Sequence, residues 1–124
     1  QRAARRCGGA LRRLGGCMIA LKGVLRALRR EPCPPSEAAA AGRRLAEVLR
    51  QPQDVEPFYI SLCLCLGALS KRRSVGADVW GALAEGTAPL LRRMPARQLT
   101  LALNAFSRAA VATAGAAASG AWLR

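Results

Sequence analysis

LCLCLGALSK at residues 62–71 and LTLALNAFSR at residues 99–108 are the two stretches that decide the fold. They align without a gap at an offset of 37 residues and share leucines, an alanine, a serine and a basic end. Pro57 and Pro95 precede the blocks at nearly the same distance, and a weaker copy ends at Ala27-Leu28-Arg29-Arg30. The segments between them echo one another too, Leu45-Ala46-Glu47 against Leu83-Ala84-Glu85. A period of 37–41 residues with two helices per unit is the mark of an α-solenoid. The expected fold is therefore all-α, with stacked antiparallel helical hairpins forming a short α-solenoid. Residues 1–35 are expected to be a basic N-terminal helical segment and residues 36–124 two to three helical-hairpin repeat units. Leu62, Leu66, Leu69, Leu99, Leu103 and Phe106 form the expected repeat core. Because leucine and alanine dominate the chain and self-match easily, an irregular helical bundle is the alternative.

Working outward, five helices can be drawn. The first runs from Arg5 to Arg30, with a possible break at Gly15–Gly16, where two glycines weaken a helix. Its apolar stripe is Cys17, Leu21, Val24, Leu25 and Leu28. Pro32, Pro34 and Pro35 end it. Ser36 is the expected N-cap of a second helix, Glu37–Arg50. A third starts near Pro57 and is apolar nearly all round, which suits an inner helix covered on several sides. Alternating Leu62, Leu64 and Leu66 would suit a strand, but Cys63, Cys65 and Ala68–Leu69 are apolar as well and favour a helix. Ser74 or Asp78 is expected to cap a fourth helix, from Val79 to about Arg93. The fifth opens at Pro95 and runs from Ala96 to about Ala112. The small-residue tail 109–121 either extends it or breaks at Gly115 before a short piece holding Trp122.

The charge is the main functional signal. Twenty Lys and Arg stand against seven Asp and Glu, with no His, for a formal net charge of +13 on 124 residues. Such an excess implies a polyanionic partner, nucleic acid or an anionic membrane. Basic residues recur in clusters: Arg12–Arg13, Arg29–Arg30, Arg43–Arg44, Lys71–Arg72–Arg73 and Arg92–Arg93. Antiparallel hairpins would gather alternate helix ends onto one edge, and these eleven residues are the expected RNA-phosphate contacts. The bland explanation, that terminal basic residues satisfy helix dipoles, accounts for some of them but not for the whole surplus. Few aromatics favour phosphate and shape readout over base stacking. An Arg-rich, acid-poor beginning over Gln1–Leu28 also resembles an organellar targeting segment, although a retained basic helix is the preferred reading. No apolar run is convincing as a membrane span, so membrane contact is not expected.

Catalytic chemistry finds no foothold. The cysteines are Cys7, Cys17, Cys33, Cys63 and Cys65. No CxxC pair occurs and no His completes a zinc site. Cys63 and Cys65 point about 200° apart on a helix, too far to chelate one ion. The few carboxylates sit near helix starts or on polar faces, and no phosphate-binding glycine motif follows a strand. No enzyme activity, metal, cofactor or small-molecule substrate is expected.

The block MPARQLTLALNAFSRAA, residues 94–110, resembles the second helix of the heptatricopeptide and octotricopeptide repeats of organellar RNA-associated proteins, and units of the FAST-kinase and RAP relatives. Asn104, Ala105, Phe106, Ser107 and Arg108 match the family's Asn-Ala-Phe-Ala/Ser-basic ending. Gly67-Ala68-Leu69-Ser70-Lys71 matches it less fully, with Gly67 in place of the Asn. The resemblance implies a mitochondrial or, alternatively, chloroplast location and a role in RNA processing, RNA stability or translation. Together with the small size and basicity, it leads to the expectation of a structural mitochondrial ribosomal protein that binds rRNA and neighbouring ribosomal proteins. The alternatives are a fragment of an organellar RNA-processing or translation factor, and a helical protein-interaction scaffold without RNA contact.

Overall fold

A computed structural model describes the backbone over Arg2–Trp122 and the surroundings of side chains 12–114. Cys7 and the basic side chains Arg2, Arg5 and Arg6 of the targeting-segment reading, and Trp122 as a side chain, lie outside the described residues. Those residues form a small all-α bundle with five α-helices, α1 (Arg2–Arg29), α2 (Pro35–Val48), α3 (Glu56–Ser70), α4 (Ala77–Thr87) and α5 (Ala96–Trp122). A 3₁₀ turn, Ala88–Arg93, links the last two, and no strand occurs among the described residues.

Several boundaries depart from the sequence reading for local reasons. α1 runs unbroken through Gly15 and Gly16, because the gain from a continuous helix outweighs the roughly 1 kcal/mol that each glycine costs relative to alanine. Ser36 does not cap α2. Pro34 holds the N-cap with φ −61° and ψ 151°, and Pro35 takes the first turn, where its missing N–H costs nothing. Neither Ser74 nor Asp78 caps α4. Its N-cap is Gly76, and Asp78 sits in the first turn with its carboxylate folded back over that glycine. The expected single helix to Arg93 changes form at Ala88, since Pro89 cannot donate the next α-helical hydrogen bond. α5 passes through Gly115 to Trp122, carried by an alanine-rich sequence of high helix propensity.

The register of the helices follows from a few contacts. The Cys65 thiol donates to Leu21 O and the Arg72 guanidinium to Leu28 O, both 44 residues apart, so α1 and α3 run parallel. Cys63 donates to Gln98 O at 3.2 Å, and Lys71 shares a groove with Arg108, so α5 runs parallel to α3 on its other side. α2 returns antiparallel to α1, its C-terminal end lying beside Cys17, whose thiol points at Gln51 O. A Cβ on Gly42 would meet Val79 Cγ1 at 2.7 Å, and one on Gly86 would meet Leu49 Cβ at 2.8 Å. Both pairs are 37 residues apart, so α2 and α4 also run parallel, brought together where each presents a glycine to the other. α1, α3 and α5 thus pack side by side in chain order, and α2 and α4 pack as a second pair across them.

α3 is the centre of this arrangement. Phe58, Leu62, Cys65, Leu66 and Leu69 are wholly buried, as are Leu21, Val24 and Leu28 of α1 and Leu45 and Leu83 of α2 and α4. Each such leucine contributes about 1.5–3 kcal/mol through burial. Trp80 of α4 meets Phe106 of α5 edge-on, with centroids 5.5 Å apart. The expected core is corrected on α5: Leu103 is 50 % exposed, and the buried apolar positions there are Ala102, Ala105 and Ala109, with Leu99 and Phe106 half-buried beside them. The alanines let α5 approach α3 closely, while Leu103 stays open to solvent among the described residues.

Candidate nucleic-acid interface

Parallel packing of α1 and α3 gathers their C-terminal ends, and the basic residues that follow apolar stripes gather with them. Arg29, Lys71, Arg72 and Arg108 line one groove of about 610 Å³, together with a single carboxylate, Glu31. Arg108 enters from the middle of α5, because that helix continues past it. The sequence pattern places Arg108 in the repeat block and not among the expected phosphate contacts. Its position 37 residues after Lys71 was the available signal.

Arg72 has a structural task. It is half-buried, donates to the last-turn carbonyl of Leu28 and lies 3.6 Å from Glu31. A guanidinium there satisfies an orphan carbonyl and the negative end of the α1 dipole. Of the eleven expected phosphate contacts, it is the one whose side chain is most engaged with the protein itself.

The remaining clusters lie elsewhere on the surface. Arg13 and Arg50 flank a second groove of about 510 Å³ between α1 and the end of α2. Arg93, beyond the opposite end of α3 from Lys71, lies 3.8 Å from Asp54. Arg12, Arg30, Arg43, Arg44, Arg73 and Arg92 are all exposed. α1 and α3 send their basic ends to one edge, where Arg108 joins them from the middle of α5, whereas Arg13, Arg50 and Arg93 lie towards the other end of the bundle. The basic surface is consequently distributed over both ends and the outside of α2, and does not form one edge.

Three ion pairs occur among the described residues: Arg50 with Glu47, Arg72 with Glu31 and Arg93 with Asp54. The two exposed pairs, Arg50 with Glu47 and Arg93 with Asp54, contribute at most about 1 kcal/mol each. The polar interior is otherwise local. Tyr59 donates to Asp54, and burial together with that carboxylate pushes its hydroxyl up to about 12. Burial likewise pushes the Cys63 thiol up to about 11 and the Cys65 thiol up to about 12. Both thiols are therefore protonated and weakly nucleophilic at neutral pH. Their hydrogen bonds run to opposite neighbours, Cys63 to α5 and Cys65 to α1. Among the described residues, no three Cys, Asp or Glu side chains converge as a metal site requires, and no helix is long and apolar enough to cross a membrane. The chain matches no family model, no curated protein and no solved structure.

Proposed function

We propose that this chain is a non-catalytic, RNA-associated helical-repeat subunit, a structural component of a mitochondrial ribosome that holds rRNA through phosphate contacts. The observation that carries the reading is the number of arginines exposed on separate elements with so few carboxylates to answer them. Twenty basic residues face seven acidic ones, and the exposed pairs Arg12–Arg13, Arg29–Arg30 and Arg43–Arg44 point outward from α1, the turn after it, and α2. Arginine's planar fork suits bidentate contact with phosphate. A surface of this kind, with cations on several sides, suits a folded RNA that wraps or surrounds the protein better than a single extended strand.

The repeat reading is supported by the common 37-residue register of Gly42 with Val79 and Leu49 with Gly86, the same offset that aligns residues 62–71 with 99–108. In this reading α2–α3 and α4–α5 are successive hairpins of a short solenoid, and α1 is the inner helix of a preceding one. The mitochondrial and ribosomal parts of the proposal rest on the resemblance of residues 94–110 to organellar RNA-associated repeats. Co-sedimentation with purified mitochondrial ribosomal particles tests it. Retention at moderate salt is the expected result. Absence from the particles with retained binding to free RNA would move the assignment to a processing or translation factor, and loss of RNA binding altogether would leave a helical scaffold.

A further inference from the structure

The groove between α1, α3 and α5 has an aliphatic floor that phosphate binding does not use. Leu64 and Leu101 lie there 43 % and 42 % exposed, among the few large apolar side chains the bundle leaves open. Gly67 keeps the floor low, with nothing within 4 Å of where a Cβ would stand. The two leucines occupy the same repeat position. Each is followed seven residues later by a cation, Lys71 after Leu64 and Arg108 after Leu101. Seven residues are two helical turns, so each cation lies on the same face as its leucine and about 10 Å along it. Among the described residues no aromatic side chain lines the groove, so they offer no ring on which a base would stack. Arg72 is occupied by Leu28 O and Glu31, leaving Arg29, Lys71 and Arg108 to set the charge of the rim.

We infer that this groove is the docking site of an amphipathic helix from a partner protein, whose aliphatic side chains cover Leu64 and Leu101 and whose carboxylates meet Lys71 and Arg108. A helix laid along α3 and α5 presents residues at the same two-turn spacing, so one apolar position and one acidic position per pair of turns match the floor and the rim together. Charge complementarity selects an acidic partner. A second copy of this strongly basic chain is repelled instead. The inference does not depend on RNA binding, because the exposed arginines outside the groove provide the phosphate surface.

The test uses the full chain and a fluorescent synthetic helix of about 18 residues carrying leucines and glutamates at that spacing, some 27 Å long. A scrambled peptide of identical composition and a short single-stranded RNA serve as comparisons. The ordered helix is expected to bind about tenfold more tightly than the scrambled one, a difference of ~1.4 kcal/mol. Replacing the two leucines together, Leu64→Gln with Leu101→Gln, should remove that advantage, and both positions are exposed enough to accept glutamine. Arg43→Gln with Arg44→Gln should leave the advantage intact. Equal affinity for ordered and scrambled peptides would overturn the proposal, as would an unchanged advantage in the leucine variant. So would a leucine variant that loses the RNA instead of the helix, since the groove would then be a nucleotide site. Absence of RNA binding by the unaltered chain would count against the RNA reading alone and leave the groove result standing.

Discussion

α3 and α5 carry the same pattern 37 residues apart and meet different fates. Leu66 and Leu103 are equivalent in the alignment, yet Leu66 is fully buried and Leu103 is half-exposed. The cause is neighbours. Within their layer α3 lies between α1 and α5, whereas α5 has α3 on one side only among the described residues, with a smaller contact to α4 through Phe106 and Trp80. A local pattern specifies a helix and its orientation. Burial is decided by whether another element arrives to use it.

The largest effect expected from this comparison is at that pair. Leu66→Ala should cost about 2–5 kcal/mol by leaving a cavity, while Leu103→Ala should stay within about 0.5 kcal/mol. Urea denaturation of the two variants measures both, and equal losses would break the distinction between covered and uncovered helices. Next come the glycines that bring α2 and α4 together. Gly42→Ala places a methyl group against the stiff Val79 side chain and should cost about 1–3 kcal/mol. Gly81→Ala on the open side of α4 should instead stabilise by up to about 1 kcal/mol, because nothing stands within 4 Å of the new Cβ. Thermal melts that rank the two variants the other way would refute the close α2–α4 approach.

A smaller effect lies at the end of α4. The Thr87 hydroxyl is buried without a hydrogen-bond partner. Thr87→Val keeps the shape, removes the unpaired group and should raise stability by about 1 kcal/mol. The smallest effect near neutrality is the titration that distinguishes α3 from α5. Cys63 and Cys65 have Thr100 and Ala102 as counterparts, so of these two helices α3 carries the thiols. Their values are raised in the folded protein to about 11 and about 12 from an ordinary 9.0, and that of Tyr59 to about 12 from 10.0. Folding therefore favours the protonated groups. Their contribution is complete below about pH 9 and is lost as pH rises from there towards 12. The urea midpoint should fall between pH 8 and pH 10.5, and less steeply in Cys63→Ala with Cys65→Ala.

Much of the helical layout was legible in the sequence, because prolines 32, 34, 35, 57 and 95 punctuate it and the leucine stripes have helical spacing. The inner position of α3 followed from a face that is apolar almost all round. What the sequence did not reveal depends on partners in space. Ser36 has the chemistry of a cap, but Pro34 and Pro35 fix the helix entry two residues earlier. Leu64 lies on a helix that is apolar almost all round, and its exposure follows from the gap between α1 and α5 over that side of α3. Basic clusters were visible, but not their division. Parallel α1 and α3 send Arg29 and Lys71 to one end, and Arg72 turns inward to close α1, a task that spacing along the chain does not signal.

The central claim is that exposed arginines on several elements hold RNA phosphates. Its most direct measurement is a salt titration of the full chain against structured RNA, duplex DNA and anionic vesicles, repeated with Arg43→Glu and Arg44→Glu. Each phosphate neutralised adds about 0.7–0.9 to the slope of log affinity against log salt. The account predicts a steep slope for structured RNA, a flatter one in the variant, and similar weakening across unrelated RNA sequences. RNA affinity indifferent to salt, or tight binding to vesicles alone, would contradict it.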